Sequence, residues 1–406
     1  MKSDIPERIG ILDAITAGLT HASKRPWLIL FPATVDLSLW LAPQVAIGKL
    51  LQSLLAIWEA LARAAYSPAQ LATMSGMFAM VRDTMAALGA QVNLAETLTG
   101  GWLNPPSALV ADQSSRLTFF SDIILAPVGL SLPLTRVAPP PWRPAAIEVA
   151  SLWTVLLLLG GLWLLGQVWT ALYLRSAAMG YKSSASGETK GRPASAGAPA
   201  RRDEEPTPPP AEDTRPADRN ANNATAAQQP RDASFLALLA RLVALSFLLG
   251  LAVLALRLPL GVAASMMLLS GGSGANVMFM LVGGMTLWLL VGFLTSSFFV
   301  GEVILLERQP LWRSIVQSLT LVRSSGFATT GLALVINLIV IGFRAVWGLI
   351  GGTPTGAVTG ILANAYLSTA MLLAVFTFYD SLKGRWQALV AKAQAQQARQ
   401  MKNNGQ

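Results

Sequence analysis

Apolar stretches at residues 27–45, 147–173, 234–256, 277–300, 329–349 and 358–379 alternate with polar and amphipathic segments along a chain of 406 residues. A helix of about 20 apolar residues crosses a hydrocarbon core roughly 30 Å thick with its backbone polar groups satisfied internally. The pattern therefore predicts an all-α fold: a polytopic helical membrane protein with about six transmembrane helices, interfacial amphipathic helices and a disordered linker.

Between the apolar stretches the periodicity changes. In residues 5–23, Ile9, Leu12, Ile15 and Leu19 recur at three- and four-residue spacing, which predicts an interfacial helix in segment 1–26, closed by Lys24, Arg25 and Pro26 with Trp27 as an interfacial anchor. Residues 46–146 are weakly hydrophobic, with helical patterning at 50–64 and 71–88 and Pro breakers at 105–106 and 139–141; they read as a mainly helical extracytoplasmic region resting on the bilayer. Residues 182–232 hold eight Pro, eight Lys or Arg and eight Asp or Glu, too little apolar surface to offset chain entropy, and read as a disordered cytoplasmic linker. It divides the chain into a two-span half and a four-helix membrane domain at 233–380. Within that domain Trp312, Ile315, Val316, Leu319 and Val322 form one stripe on a second interfacial helix, 310–323, with Pro310 at its start and Gly326 as its stop. Residues 381–406 read as a cytoplasmic tail helix.

Composition sharpens this picture. The chain is 53% hydrophobic and 13% charged, about half the charged fraction of an ordinary soluble domain. Its net charge of +9 is accounted for by basic residues flanking the spans, so no nucleic-acid partner is expected. The absence of cysteine excludes disulfides, thiolate metal sites and cysteine nucleophiles, and with His21 as the single histidine most familiar catalytic and metal constellations are removed. No catalytic residue, cofactor or metal site is expected. His21 itself reads as an interfacial residue. The first apolar run follows a 26-residue lead, which fits a retained signal anchor better than a cleaved signal peptide.

Orientation follows from the cations. In the six-span arrangement one side collects 22 Lys and Arg, while the other has seven, six of them in the long first loop. Short loops decide the positive-inside rule, and the two short loops on the second side carry only Arg257, at the edge of the third span. Both termini and the linker are therefore expected on the cytoplasmic side of a bacterial cell membrane.

Few polar groups fall inside the spans. Asp36, nine residues beyond Trp27, would lie about 13 Å deep, where a charged group costs roughly 2.5 to 3.5 kcal/mol and calls for a partner or water. Arg241 reaches a similar depth in the third span. Either the two pair across the linker, or Arg241 snorkels to the headgroups and Asp36 bonds to Ser38 or a backbone carbonyl. Arg344, beside Trp347, reads as an interface anchor. Asn337, Asn364 and Gln167 read as amides that join helices. Gly292 and Ser296 form a small-residue pair suited to helix packing, and the Gly clusters at 271–274 and 351–352 lack the Lys-Ser/Thr of a phosphate loop.

Two internal similarities stand out. Glu7-Arg8, Ile15, Leu19 and Thr20 recur 300 residues later as Glu307-Arg308, Ile315, Leu319 and Thr320. Val168-Trp169-Thr170 before Tyr173 is echoed by Val375-Phe376-Thr377 before Tyr379. A parallel duplication would leave such traces, and so would two amphipathic helices that each enter a bilayer.

An acidic end to the fourth span at Glu302 precedes Pro310-Leu311-Trp312-Arg313-Ser314-Ile315 and Ser318-Leu319-Thr320-Leu321-Val322-Arg323. Residues 292–379 thereby resemble the membrane-domain family of the YciC-like inner-membrane proteins and some glycerophosphodiester phosphodiesterases. Lys24-Arg25-Pro26-Trp27 through Pro32, Asp36 and Trp40, with Phe376-Thr377-Phe378-Tyr379, also resemble uncharacterised multispan proteins of filamentous phototrophic bacteria. The resemblance implies a bacterial cytoplasmic membrane and supplies no reaction, because one histidine cannot furnish a phosphodiesterase barrel. The expected function is non-catalytic: envelope organisation, or service as a subunit beside a membrane-protein partner or a second copy. The alternative is a transporter or lipid-handling protein that uses Asp36.

Overall fold

The computed structural model describes residues 9–73, 75–91, 93–99, 140–190, 235–270 and 273–404. They are mostly helical. In chain order come α1 (Ile11–Ser23), a 3-10 turn (Pro26–Ile29), α2 (Leu30–Leu41), strand β1 (Val45–Ala46), α3 (Gly48–Ala65), α4 (Pro68–Thr73), α5 (Ser75–Gln91) and a 3-10 turn (Leu94–Thr99). There follow β2 (Ile147–Glu148), α6 (Leu152–Lys190), α7 (Phe235–Ser270), α8 (Ser273–Ser296), the short α9 (Val300–Glu302), a π turn (Val303–Glu307), α10 (Leu311–Ile350) and α11 (Pro354–Asn404).

Four of these helices are long and apolar enough to cross a membrane, over Leu152–Ser183, Phe235–Ala252, Leu311–Ile336 and Pro354–Asn403. They correspond to the second, third, fifth and sixth expected spans. The first is shorter than expected: Pro26–Leu41 is 16 residues, about 24 Å at 1.5 Å per residue, and the chain is extended again by Val45. α8 occupies the fourth stretch, with nearly half of its side chains outside those described. The Gly271-Gly272 turn, residues 100–139 and most of the expected linker, 191–232, lie outside the described residues; residues 182–190 do not belong to a linker but continue α6.

α11 is the axis of the bundle. Ala357, Ile361, Ala365, Ala370, Ala374, Phe376, Phe378 and Tyr379 on it are fully buried. Segment 9–41 runs antiparallel along it: the Ile9 N–H donates to Ser381 Oγ at 3.1 Å, Tyr366 meets Ser23 at 2.9 Å, and Ala33 and Trp40 pack on Ala357, Ile361 and Ala365. α1 is therefore not a free surface helix. Its buried face follows the apolar stripe only in part: Ala14, Ile15, Gly18 and Ala22 are buried and Ile9 and Leu19 pack against the core, while Leu12 is 74% exposed. Small residues let backbones approach, and a Cβ on Gly18 would stand 2.3 Å from the Ala370 carbonyl oxygen. The second expected surface helix follows the same rule. Ser314 and Ser318 are fully buried, Ile315 and Val322 pack into the core, Trp312 is 74% exposed, and the backbone leaves helical geometry at Gly326, the expected stop, before a further helical stretch continues into the fifth apolar stretch. The sixth stretch likewise continues without a break into the tail helix.

Residues 46–99 form the expected helical region, with Glu59 of α3 holding Arg82 of α5 at 2.6 Å and Trp58 against Phe78 at 4.7 Å between ring centres. A feature absent from the pattern ties this region to the bundle. β1 and β2 pair in parallel, Val45 with Ile147 and Ala46 with Glu148. Arg143 then donates from Nε to the Ala42 carbonyl at 2.9 Å and from Nη2 to that of Leu39 at 3.1 Å, satisfying the C-terminal end of α2.

Candidate functional site

Chemistry-bearing side chains gather at the end of the bundle where α6, α7, α10 and α11 meet the π turn. Single π turns interrupt helices frequently at functional sites. This one ends on Arg308, with φ 57, the one non-glycine residue in the left-handed region among the described residues. Such a conformation persists only where its surroundings hold it. Here Arg241 of α7 donates from Nη1 to the carbonyls of Arg308 at 2.8 Å and Gln309 at 3.2 Å, and Lys182 of α6 donates to the Leu306 carbonyl.

On one side of the turn lies a polar knot. Glu307 accepts from Gln317 Nε2 at 2.7 Å and from the Tyr379 hydroxyl, and forms an ion pair with Lys383 at 3.2 Å. Partial burial pushes its carboxyl up, but the hydrogen bonds from Tyr379 and Gln317 and the Lys383 charge outweigh that and hold it below the usual glutamate range. Glu302, one turn earlier, is buried with Oε2 lacking a hydrogen bond, and burial raises its carboxyl to about 7. The knot links α10 and α11 to the turn through neutral and charged donors. Its geometry serves to position the turn.

On the other side is a cavity of about 420 Å³. α6 lines it with Arg175, Ala178, Met179 and Lys182, spaced three, one and three residues apart and so on one helix face. α7 contributes Phe235, Leu238 and Arg241, and the turn contributes Ile304, Leu305 and Arg308. Four cations thus ring an apolar floor, and no acidic side chain among the described residues lines it. The Arg175 guanidinium stands 5.8 Å above the Phe235 ring centre, which orients it along the cavity wall.

The expected site residues are dispersed. Asp36 is fully buried on α2 and Asn364 on the facing α11, each engaged by neighbouring groups. Arg241 bonds the carbonyls of the turn instead of Asp36. Asn337 and Arg344 lie on α10 with side chains outside those described. Gln167 does join helices, its Nε2 donating to Ser246 of α7 at 3.1 Å. Tyr173 adds a bond from α6 to Thr369 of α11 at 3.0 Å. Gly292 does not pack: nothing stands within 4 Å of a Cβ built on it, and Ser296 bonds back to its carbonyl at 2.7 Å. His21 sits against Tyr181, 5.7 Å between ring centres. The cavity was the part missed by sequence reasoning, although Arg175, Lys182, Arg241 and Arg308 all fall among the cations that set the expected orientation.

No protein-family model, no curated protein and no solved structure matches the chain.

Proposed function

We propose that the chain is a multi-pass integral protein of a bacterial cytoplasmic membrane, with both termini and the basic end of the bundle on the cytoplasmic side. Its role is non-catalytic, in envelope organisation or as a subunit beside a membrane partner or a second copy. The observation that carries this reading is where the large apolar side chains point. Leu12, Leu157, Trp153, Phe247, Met280, Trp288 and Leu338 lie outward, while the buried faces combine small residues such as Ala14, Ala171, Ala177, Ser314 and Ser318 with Tyr173, Leu242 and Leu332. Large apolar side chains facing outward suit a lipid surround, where close backbone approach at small residues contributes to packing. On α3, Leu54, Ile57, Trp58 and Leu61 share one exposed face, as a region resting on a bilayer would require. Kinship with the family that residues 292–379 resemble belongs to the same proposal.

Lipid handling is the second reading, favoured by the basic cavity more than by Asp36. Membrane isolation tests the first: the protein should stay with alkaline-washed membranes, and protease added from the cytoplasmic side should cut within residues 191–232. Release by alkali would overturn the membrane reading, and protection of that segment would overturn the orientation.

A further inference from the structure

We infer that the cavity between α6, α7 and the π turn binds the phosphate headgroup of an anionic phospholipid. The inference rests on the membrane reading, since it places the cavity at the cytoplasmic headgroup level. Four cations belonging to three separate elements converge on one concavity. Cations scattered for topology alone would point apart into water. Arg175 and Lys182, seven residues apart on α6, stand about 10 Å from one another along the helix, so they bracket the opening from its two ends. Arg308 reaches it through a left-handed backbone that Arg241 secures by its two carbonyl bonds. The nearby acids bond elsewhere, Glu307 to Tyr379, Gln317 and Lys383, and Asp380 to the Tyr181 hydroxyl, although the charge of both reaches Lys182. The cavity therefore offers net positive charge to an anion.

Its remaining surface selects for more than an anion. Phe235, Leu238, Ile304 and Leu305 form an apolar floor beneath the cations. Just along α7 from that floor, Leu236 and Phe247 are exposed to the surround of the bundle. A phosphodiester carrying acyl chains satisfies both parts, with the phosphate among the guanidinium and ammonium groups and the chains following the apolar helix surface. Basic pockets between membrane helices on the cytoplasmic side are suited to this class of headgroup. Free inorganic phosphate would use the cations alone.

The test uses the full chain, purified in a neutral detergent, with phosphatidylglycerol, phosphatidylcholine of the same acyl chains, and inorganic phosphate as three probes. Thermal unfolding and retained-lipid mass measurements are read for each. Phosphatidylglycerol is expected to be retained and to raise the unfolding midpoint, phosphatidylcholine to do neither at equal concentration, and the preference to weaken as salt rises. Arg175→Gln with Lys182→Gln should lower apparent affinity for phosphatidylglycerol about 30-fold, from roughly fivefold for each charge. The charge-preserving pair Arg175→Lys with Lys182→Arg should keep most of it. Equal retention of the two lipids by the parent protein overturns the proposal without any variant. So does a Gln variant that folds and retains phosphatidylglycerol as the parent does. Stabilisation by inorganic phosphate at the same concentrations as the anionic lipid would assign the cavity to a free anion and likewise refute the lipid. Release from alkaline-washed membranes would instead count against the membrane reading itself.

Discussion

Replacing Gly18 by alanine adds one methyl group at the place where α1 and α11 come closest. That Cβ would stand 2.3 Å from the Ala370 carbonyl oxygen, 2.6 Å from the Ala374 nitrogen and 2.8 Å from the Ala374 Cβ. Two of these are backbone atoms of the central helix, which cannot swing aside as a side-chain tip can. Restoring ordinary contact needs the helices to part by about 1 Å, and a gap of that size forfeits a quarter to a half of the dispersion energy of each separated pair. Ala14 and Ala22, one turn to either side, are fully buried in the same contact and would be pulled out of register with it. Overpacking of a close-packed site costs about 1–3 kcal/mol, which corresponds to roughly 5- to 150-fold in the equilibrium for local opening. Amide hydrogen exchange reads that equilibrium directly. Amides of α1 in Gly18→Ala should exchange faster by such a factor, while those of α3 and α5 keep the parental rate. Gly161→Ala in α6 is the control, because nothing lies within 4 Å of its added Cβ and the change removes only backbone freedom. Parental exchange in α1 of Gly18→Ala, or equal damage from Gly161→Ala, would refute the close-contact account.

Two further perturbations probe the turn and the strand-pair region. Glu302 is held near 7 in the folded protein against an ordinary 4.5, so the folded state keeps its proton longer than the unfolded chain does. Stability is therefore full below about 4.5 and declines as pH rises through about 7, by about 3 kcal/mol for a shift of 2.5 units between those values. Glu302→Gln should abolish that decline and unfold at a higher temperature than the parent at pH 8, and a parent midpoint that is flat from pH 5 to pH 8 would contradict the assignment. Arg143→Ala removes two hydrogen bonds to the end of α2 and should cost about 1–3 kcal/mol. Faster exchange confined to the last turn of α2 and to the β1–β2 pair would report it, whereas an unchanged profile would show that water replaces the guanidinium.

Much of the helical layout was legible because it follows from composition along the chain. The long apolar helices of the second, third, fifth and sixth stretches were plain, as was the helical nature of residues 48–91. What could be read only in part was which face of each helix is buried, since Ile15 and Val322 of the two expected stripes are buried but other members are not. The amphipathic rule assigns Leu12 and Trp312 inward because it assumes a water surround. Each is instead 74% exposed, and Ala14, Gly18, Ser314 and Ser318 take the interior. The boundary of the tail failed for a related reason: α11 carries helical backbone straight from apolar to polar composition, so a change in composition does not mark a change in structure there, whereas the expected stop at Gly326 falls at the kink inside α10. The β1–β2 pair spans two residues on each side, below any periodic signal, and the cavity gathers cations separated by 133 positions between Arg175 and Arg308.

The repeat at an offset of 300 gains a physical meaning from the same faces. Compared position by position, residues 11–25 and 311–325 fall in the same burial class at 13 of 15 sites, with only Ile15 against Ile315 and His21 against Leu321 differing. Both segments also break at the same point, α1 before the turn at Pro26 and α10 at Gly326. Five identities conceal this because the shared property is size and not residue type: Ala14 answers Ser314, and Gly18 answers Ser318. Their partners, however, differ. Gly18 lies on Ala370 and Ala374 of α11, whereas Ser318 Oγ donates to the Ser296 carbonyl at 2.8 Å and accepts from the Phe299 N–H at 3.3 Å, at the end of α8. A duplicated unit that kept its arrangement would set each copy against an equivalent helix. The two segments instead share a way of docking, with small residues turned inward beside Ile15 in one and Leu321 and Val322 in the other, Leu12 and Trp312 turned outward, and a break where the chain changes direction. That is a rule any helix must meet to pack in an apolar surround, and it explains the likeness without requiring the two halves to be related by symmetry.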